Sequence, residues 1–237
     1  MQVEIYSDVV CPWCAIGKAK FEKARAAYAA EGGEPIDVIW RPFQLDPTAP
    51  STGSPVIDGY AKKFGGMEKA LQITSHVTAV AATVGWEFNF DIAKRANTFD
   101  AHRLLAFAYQ VGGEATQGEL KQQLLRAYFT EGRNVGDVEE LVSIASASRL
   151  DADRVRTMLA SAAFVRETRE EMDGAIERGI TAVPSFVFDG VGVLPGAQDP
   201  EQFLRIFRRL AARKAEAAAL ADVAATAAAC AVDGSNC

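Results

Sequence analysis

Positive charge is scarce in this 237-residue sequence: 25 Lys and Arg stand against 31 Asp and Glu, a net charge of −6. The isoelectric point is near 5.1. That balance argues against a nucleic-acid partner or an anionic membrane surface. The one basic cluster (Arg205, Arg208, Arg209, Arg213 and Lys214) falls on a predicted helix and reads as a solvated face. Long apolar runs are also missing. The alanine-rich stretch from Ala215 to Val232 is broken by Glu216, Asp222 and Thr226, and alanine is too weakly apolar to span a bilayer. No basic or apolar leader precedes the first strand at Gln2, so the expected location is the cytoplasm. No internal repeat is evident. Cysteine is limited to four residues. In a reducing compartment a cysteine pair is more often catalytic, redox-sensing or metal-binding than a structural staple.

What remains is 49% hydrophobic and 24% charged, the make-up of an ordinary globular protein. The length suffices for one large domain or one domain carrying an insertion. Residues 2–7 alternate as a strand. Residues 12–30 have helical spacing that Gly32-Gly33 terminates, and residues 36–43 read as a second strand. Residues 45–58 are rich in Pro, Ser, Thr and Gly and read as a loop. Helical periods then dominate to about Arg178, with helices expected at 67–84, 98–111, 114–129, 137–148, 151–160 and 164–178. Asn97 or Thr98 is an expected cap for one of them, and Asp151 for another. Strand signals return at 185–188 and 191–194 around the Asp189-Gly190 turn. Asp199-Pro200-Glu201 opens a helix to about Arg213, and 215–229 is expected to be helical too.

The order is β-α-β, a helical block, then α-β-β-α. The expected fold class is therefore α/β: a thioredoxin-like βαβ…αββα core with a large all-helical insertion. Its divisions are 1–58 and 164–213 for the two parts of the core, 59–163 for the insertion, and 214–237 for an alanine-rich helix with a cysteine-containing tail.

Cys11-Pro12-Trp13-Cys14 sits at the first strand-to-helix junction. Thiolate is the attacking species in disulfide exchange, and a helix N-terminus favours an anion through its unpaired N–H groups and dipole. Cys11, at the cap, is the expected exposed nucleophile, and Cys14 the resolving thiol. Pro12 fits the first turn, where its missing N–H costs nothing. Trp13 shields the pair and offers an apolar contact. A rival reading makes the two cysteines half of a zinc site completed by Cys230 and Cys237, but that second pair is widely spaced. Thr181-Ala182-Val183-Pro184 precedes the third strand, where proline is tolerated.

These residues resemble the DsbA-like thiol oxidoreductases, in the cytosolic FrnE-like branch of the thioredoxin superfamily. The likeness lies in Ser7 to Gly17, Arg41 to Leu45, Asn97 to Arg103 and Gly179 to Phe186. It implies a thioredoxin fold with helical insertion, Cys11 as nucleophile, Cys14 as resolver and a cis bond before Pro184. Trp13 departs from the histidine usual in periplasmic members and removes one partner for the thiolate. The related 2-hydroxychromene-2-carboxylate isomerases, which bind glutathione, carry serine at the nucleophile position, and Cys11 weighs against that reading.

Other residues have two readings each. His102 and Asn97 could orient substrate or shuttle a proton; the plainer expectation is that Asn97 caps a helix and His102 packs locally. Phe43, with Gln44 and Leu45, either lines a groove beside Trp13 or ends a buried strand. Cys230 and Cys237 form either a second redox pair, brought together by a turn at Asp233-Gly234, or an incidental tail. The expected function is thiol–disulfide exchange on protein disulfides or small thiols. No bound cofactor or metal is expected, glutathione or another dithiol would donate electrons, and the chain would be a monomer or homodimer. Rival functions are a glutathione-dependent isomerase of a small aromatic or polyketide-like compound, a holdase using the surface around Trp13, Phe43 and Val183, and a zinc-stabilised domain.

Overall fold

A computed structural model describes the backbone of residues 1–233 and the side chains of residues 1–221. The strands that build the main sheet are short and densely apolar. β1 (Gln2–Ser7) lies parallel to β2 (Asp37–Pro42), with Val3 opposite Val38 and Ile5 opposite Trp40. β1 also pairs antiparallel with Ser185–Phe188, and that strand with Gly192–Pro195, giving four strands with β1 and Ser185–Phe188 in the centre. A parallel β1–β2 pair requires a crossover, which α1 (Pro12–Ala30) supplies. Gly32, at φ +79°, closes that helix.

Between β2 and the last two strands lies a mostly helical stretch. It contains β3 (Ser54–Pro55), α2 (Val56–Phe64), α3 (Met67–Ala82), β4 (Lys94–Arg95), α4 (Phe99–Phe129), α5 (Val138–Ala147), α6 (Ala152–Ala160) and α7 (Val165–Glu177). β5 (Ser185–Phe188), β6 (Gly192–Pro195) and α8 (Pro200–Asp233) complete the chain. The expected α/β class with a helical insertion is what the structure shows. Asp137 and Asp151 cap α5 and α6, accepting from Glu140 N at 3.0 Å and Arg154 N at 2.8 Å.

The differences have local causes. The two helices expected at 98–111 and 114–129 run on as α4, with a break in helical geometry at Gly112 and Gly113. Only a residue free to take Gly113's φ of +64° lets the chain kink there without ending. α2 occupies part of the expected 45–58 loop. Its first residue, Val56, is buried, and that packing outweighs the loop-like composition before it. Ser54 and Pro55 pair antiparallel with Arg95 and Lys94 across α2 and α3, a two-residue ladder that no sequence period announced. α8 runs past residue 213 without interruption because its alanines give it no reason to stop.

Two main cores result. One lies between the sheet, α1 and α8. Phe21 stacks on Phe186 with ring centroids 5.5 Å apart and meets Phe203 and Phe207 edge-on. Each such ring taken from water contributes roughly 1.5–3 kcal/mol. The other fills the helical block around Leu104, Leu120, Leu124 and Phe129, and it extends to Val9, Ala15 and Ile16 at the start of α1. The Trp86 indole N–H donates to the Ala15 carbonyl at 3.0 Å, fastening the first turn of α1 to the helical block. The cysteine-bearing turn is therefore held by the helical block, while Phe21, Ala24 and Tyr28 further along α1 anchor the same helix in the sheet core.

A buried ion cluster joins the sheet to α7. Glu4 accepts from Arg41 at 2.7 Å and from Arg178 at 2.9 Å, and Arg178 also reaches the Tyr6 hydroxyl. Burial pushes the Glu4 carboxyl up, but the hydrogen bonds and charges of Arg178 and Arg41 outweigh it and leave Glu4 below its ordinary value. A carboxyl depressed by folding stabilises above its unfolded pKa of about 4.3, and loses that contribution as pH falls through the folded value. Glu4→Gln is therefore expected to lower stability at pH 7 by roughly 1–2 kcal/mol, allowing for the part-exposed guanidinium groups. The deficit should close in acid. Urea titrations from pH 7 to pH 3 check this; a deficit that does not change with pH would assign the loss to packing.

Candidate active site

Cys11 is the N-cap of α1, with extended backbone (φ −89°, ψ 114°), and Pro12 follows in the first turn. Its carbonyl accepts from Cys14 N at 3.0 Å and Ala15 N at 3.3 Å. That first turn folds Cys14 back under Cys11. Both thiols are free, and neither is exposed as the sequence suggested: Cys11 keeps 4% of its surface and Cys14 1%. The Val183 segment beside Cys11 and the helical block packed on Val9, Ala15 and Ile16 explain the difference. Trp13, in contrast, stands in solvent beside them.

The Val183–Pro184 bond is cis. The Val183 carbonyl lies 3.7 Å from Cys11 Sγ, so the segment ahead of β5 borders the sulfur. Pro184 is seated against α1 at Gly17, where a Cβ would come within 2.9 Å of the proline Cγ. Gly17 is thus required for close approach, not for backbone freedom.

Beneath the cysteines lies Asp8, fully buried. One carboxylate oxygen accepts from Val9 N at 2.7 Å and faces His102 Nε2 at 3.3 Å; the other accepts from Leu45 N at 2.8 Å. Burial raises the Asp8 carboxyl, but the His102 hydrogen bond and charge, the Leu45 N–H and the Lys121 charge prevail and hold it below its ordinary value. Lys121 of α4 is also fully buried, and its ammonium has no hydrogen-bond partner. It stands 5.4 Å from the centre of the Trp40 ring. Burial presses its pKa down to about 8, against the opposing pull of Cys14, Asp8 and Cys11.

The two thiols titrate as a pair, since charge on one opposes charge on the other. The Cys11 thiol is pushed up, first by the hydrogen bond it shares with Cys14, then by burial and by the negative Cys14 and Asp8. Cys14 lies lower. Burial opposes its ionisation, but the hydrogen bond from Cys11, the Lys121 charge and contacts with Ser7 and the Asp8 backbone overcome it. The two sulfurs thus compete for one negative charge, with Lys121 drawing it towards Cys14 and the helix N-terminus towards Cys11.

A cleft of about 900 Å³ opens above the pair. Cys11, Pro12, Trp13 and Val183 form its floor, with Leu45 beside them; Tyr60, Phe90 and Tyr128 wall it on the helical side, and Lys62, Lys63 and Arg95 add positive charge. Phe43 does not line it. That ring packs instead with Tyr6, Ala175 and Val187; of the three residues expected beside Trp13, Leu45 alone lines the cleft. Asn97 and His102 also lie away from this cleft. The Asn97 carboxamide accepts from Phe99 N and Gln44 and donates to the Pro47 and Ala49 carbonyls, so it locks the loop that leads into α4. His102 reaches Asp8 from behind. The Cys230 side chain and all of Cys237 lie outside the described residues, as does Gly234 of their expected turn; Asp233 is the last residue of α8.

Sequence reasoning passed over Asp8 and Lys121. Asp8 had a signal, an acidic residue directly after a strand and three positions before Cys11. Lys121 had another: it sits four residues after Gln117 and four before Leu125, on the buried stripe of α4. Among the described residues no group of three His, Cys, Asp or Glu side chains is placed to hold a metal, and no helix is long and apolar enough to cross a membrane.

Known proteins place this architecture. A Bacillus subtilis (strain 168) protein, YwbO, is 30% identical over 206 residues, 86% of this chain and 94% of the relative. The crystal structure of a probable DsbA oxidoreductase from Streptomyces coelicolor is 37% identical, with a TM-score of 0.81 over 88% of this chain and 89% of that one. The cytosolic disulfide reductase DsbM from Pseudomonas aeruginosa, solved with GSH, shares the fold at 14% identity, with a TM-score of 0.62 over 89% of this chain and 98% of its own. The DSBA-like thioredoxin domain matches residues 2–208, and the chain belongs to that family.

Proposed function

We propose that this chain is a thiol–disulfide oxidoreductase acting on protein disulfides, with Cys11 attacking and Cys14 resolving. The observation that carries this reading is the 3.7 Å approach of the Val183 carbonyl to Cys11 Sγ at the floor of an open cleft. A peptide paired with that backbone edge as an added strand would bring its own cystine to the sulfur. Passage of the Cys11 proton to Cys14 across their hydrogen bond frees the Cys11 thiolate. It attacks one sulfur of the substrate, forms a mixed disulfide and expels the other sulfur as thiolate. Cys14, once deprotonated, attacks the Cys11 sulfur, closes the Cys11–Cys14 bond and releases the reduced substrate. Two electrons pass from the dithiol to the substrate, and the expelled thiolates take protons from water.

In a reducing cytoplasm the dithiol form dominates, so reduction and reshuffling are favoured over net oxidation, with glutathione or another dithiol restoring the enzyme. The name of DsbM, a cytosolic disulfide reductase solved with GSH, is in keeping with that direction. The FrnE-like resemblance and the net charge of −6 support the same reading, in which the chain acts as a monomer or homodimer without nucleic acid or membrane. Cys230 and Cys237 are a second dithiol that could exchange electrons with the first.

The depth of the cleft favours one alternative, a glutathione-dependent isomerase of a small aromatic compound, because the aromatic walls of Tyr60, Phe90 and Tyr128 suit such a ligand. That activity requires tight glutathione binding and poor turnover of protein disulfides.

Cys11→Ser is expected to reduce insulin disulfides about a hundredfold more slowly or worse, and Cys14→Ser to accumulate a substrate adduct on Cys11. Retained insulin reduction in Cys11→Ser would overturn the assignment. Gly17→Ala tests the Val183–Pro184 seat. The new methyl displaces Pro184, and misplacement on the order of an ångström costs about tenfold or more in rate. Folding stability should hold near the wild type, because alanine gains roughly 0.5–1 kcal/mol over glycine inside a helix. Insulin assays beside thermal melts separate the two effects; unchanged activity would show that Val183 need not border Cys11.

A further inference from the structure

Lys121 is the group the mechanism leaves unexplained. It is fully buried on α4, and its Nζ has no hydrogen-bond partner. Its position is not slack. Gln117, one turn earlier, clasps the Trp40 peptide from both sides, accepting from Trp40 N at 2.9 Å and donating to Trp40 O at 3.0 Å. That clasp fixes the face of α4 against the sheet end below the cysteines, with the Lys121 ammonium over the Trp40 ring. An unpaired buried lysine is costly, and a methionine of similar shape would fill the space without that cost. The groups that act on it are Cys14, Cys11 and Lys18 from α1 and Asp8 from the preceding loop, and Asp8 is itself engaged by His102.

We propose that Lys121 holds the proton of the resolving step, taking it from Cys14 so that the Cys14 thiolate can displace the substrate from Cys11. This rests on the oxidoreductase reading above and names the group that completes it. After Cys11 has entered a mixed disulfide, Cys14 carries the proton passed to it and is inert. Its protonation also removes the negative charge that supported the ammonium, so burial leaves Lys121 an amine. The amine takes the proton: Cys14–SH and Lys121–NH2 become Cys14–S⁻ and Lys121–NH3⁺. A lysine's flexible four-carbon stem can carry Nζ to the sulfur. The thiolate then forms the Cys11–Cys14 bond while the Cys11–substrate bond breaks, and the substrate leaves as thiolate. With no thiolate left beside it, the ammonium returns its proton to water. Lys121 is thus a positioning residue for Cys14 and not a contact for substrate. It also makes the helical insertion part of the redox chemistry.

The test separates attack from resolution in full-length protein carrying Cys230→Ser and Cys237→Ser, so that one dithiol remains. Glutathione is loaded onto Cys11 from a short pulse of glutathione disulfide, and its release is followed by rapid quench and mass spectrometry from pH 5.5 to 9.5. With Lys121 present, release should rise with pH and level off below pH 8, because the thiolate charges that support the ammonium are absent in the mixed disulfide. Lys121→Met should slow release at pH 7 by about tenfold or more and keep rising tenfold per pH unit to beyond pH 9, as an ordinary buried thiol does. Alkylation of Cys11 by iodoacetamide, compared with and without Lys121→Met in a Cys14→Ser background, should change by less than about threefold. Lys121→Met should also melt at a higher temperature, having lost an unpaired buried charge. Equal slowing of attack and release together with a lower melting temperature would overturn the proposal, because the role would then be structural. Unchanged release with an unchanged profile would overturn it as well. Where Lys121→Met does not fold, the profile of the Lys121 protein decides: a rate that rises log-linearly through pH 9 refutes the proton holder. Retained insulin reduction in Cys11→Ser sinks the oxidoreductase reading itself, whereas an inactive Cys11→Ser with normal Lys121→Met release sinks only the lysine.

Discussion

The carboxylate of Asp8 is the tie on which the rest of the site depends. Three chain segments that are distant in sequence need their backbone or side-chain donors satisfied at one buried point: Val9 from the β1–α1 loop, Leu45 from the loop after β2, and His102 from α4. A buried anion without these partners would cost several kcal/mol; with them it fixes the loop that delivers Cys11 to the N-terminus of α1. The same carboxylate opposes ionisation of Cys11 and supports the ammonium of Lys121. Geometry and electrostatics at the dithiol therefore share one origin.

Burial sets the terms of the chemistry. The first turn of α1 lies where the sheet core and the helical core meet, so Ile16 and Ala15 pack into one while Phe21 packs into the other. That arrangement gives the turn its rigidity and removes water from both sulfurs. A helix N-terminus alone would favour a thiolate at the cap. Desolvation and the neighbouring sulfur work against it, and the only full positive charge acting on Cys14 from the helical block is Lys121. The lysine thus draws charge inward, against the pull of the helix N-terminus at the cap.

Much of this was legible in the sequence. The Cys-Pro-Trp-Cys turn, the capping aspartate at 151, and the Asp189-Gly190 turn are local signals, each decided by a few neighbouring residues, and the strand and helix order follows from periods that tertiary packing reinforces. The kink at Gly112–Gly113 was legible as two helices meeting, though not as one helix bent. What could not be read were contacts across long separations. Whether Phe43 faces the cleft or the Tyr6 cluster depends on the direction of the chain after β2, which Asp8 sets from 37 residues away through Leu45. The burial of Cys11 depends on Val183, 172 residues distant. Lys121 looked like one more helical lysine because its environment is made by the ends of β1 and β2.

The conflict between stability and reactivity is resolved by placing the polar groups in series and not in contact. His102 engages Asp8, Asp8 fixes the loop, and Lys121 faces the same space without a hydrogen bond to any of them. Had Lys121 paired directly with Asp8, the ion pair would have stabilised the fold and held its proton at every stage of the cycle. Left unpaired, its protonation answers to the variable charges around it, those of the Cys14 sulfur first and the Cys11 sulfur after it in the proposed exchange. Asp8 remains ionised throughout because its donors are supplied by backbone and histidine. In the exchange proposed above, a constant anion and a variable cation flanking one dithiol would let the fully buried Cys14 thiol lose its proton inside the site.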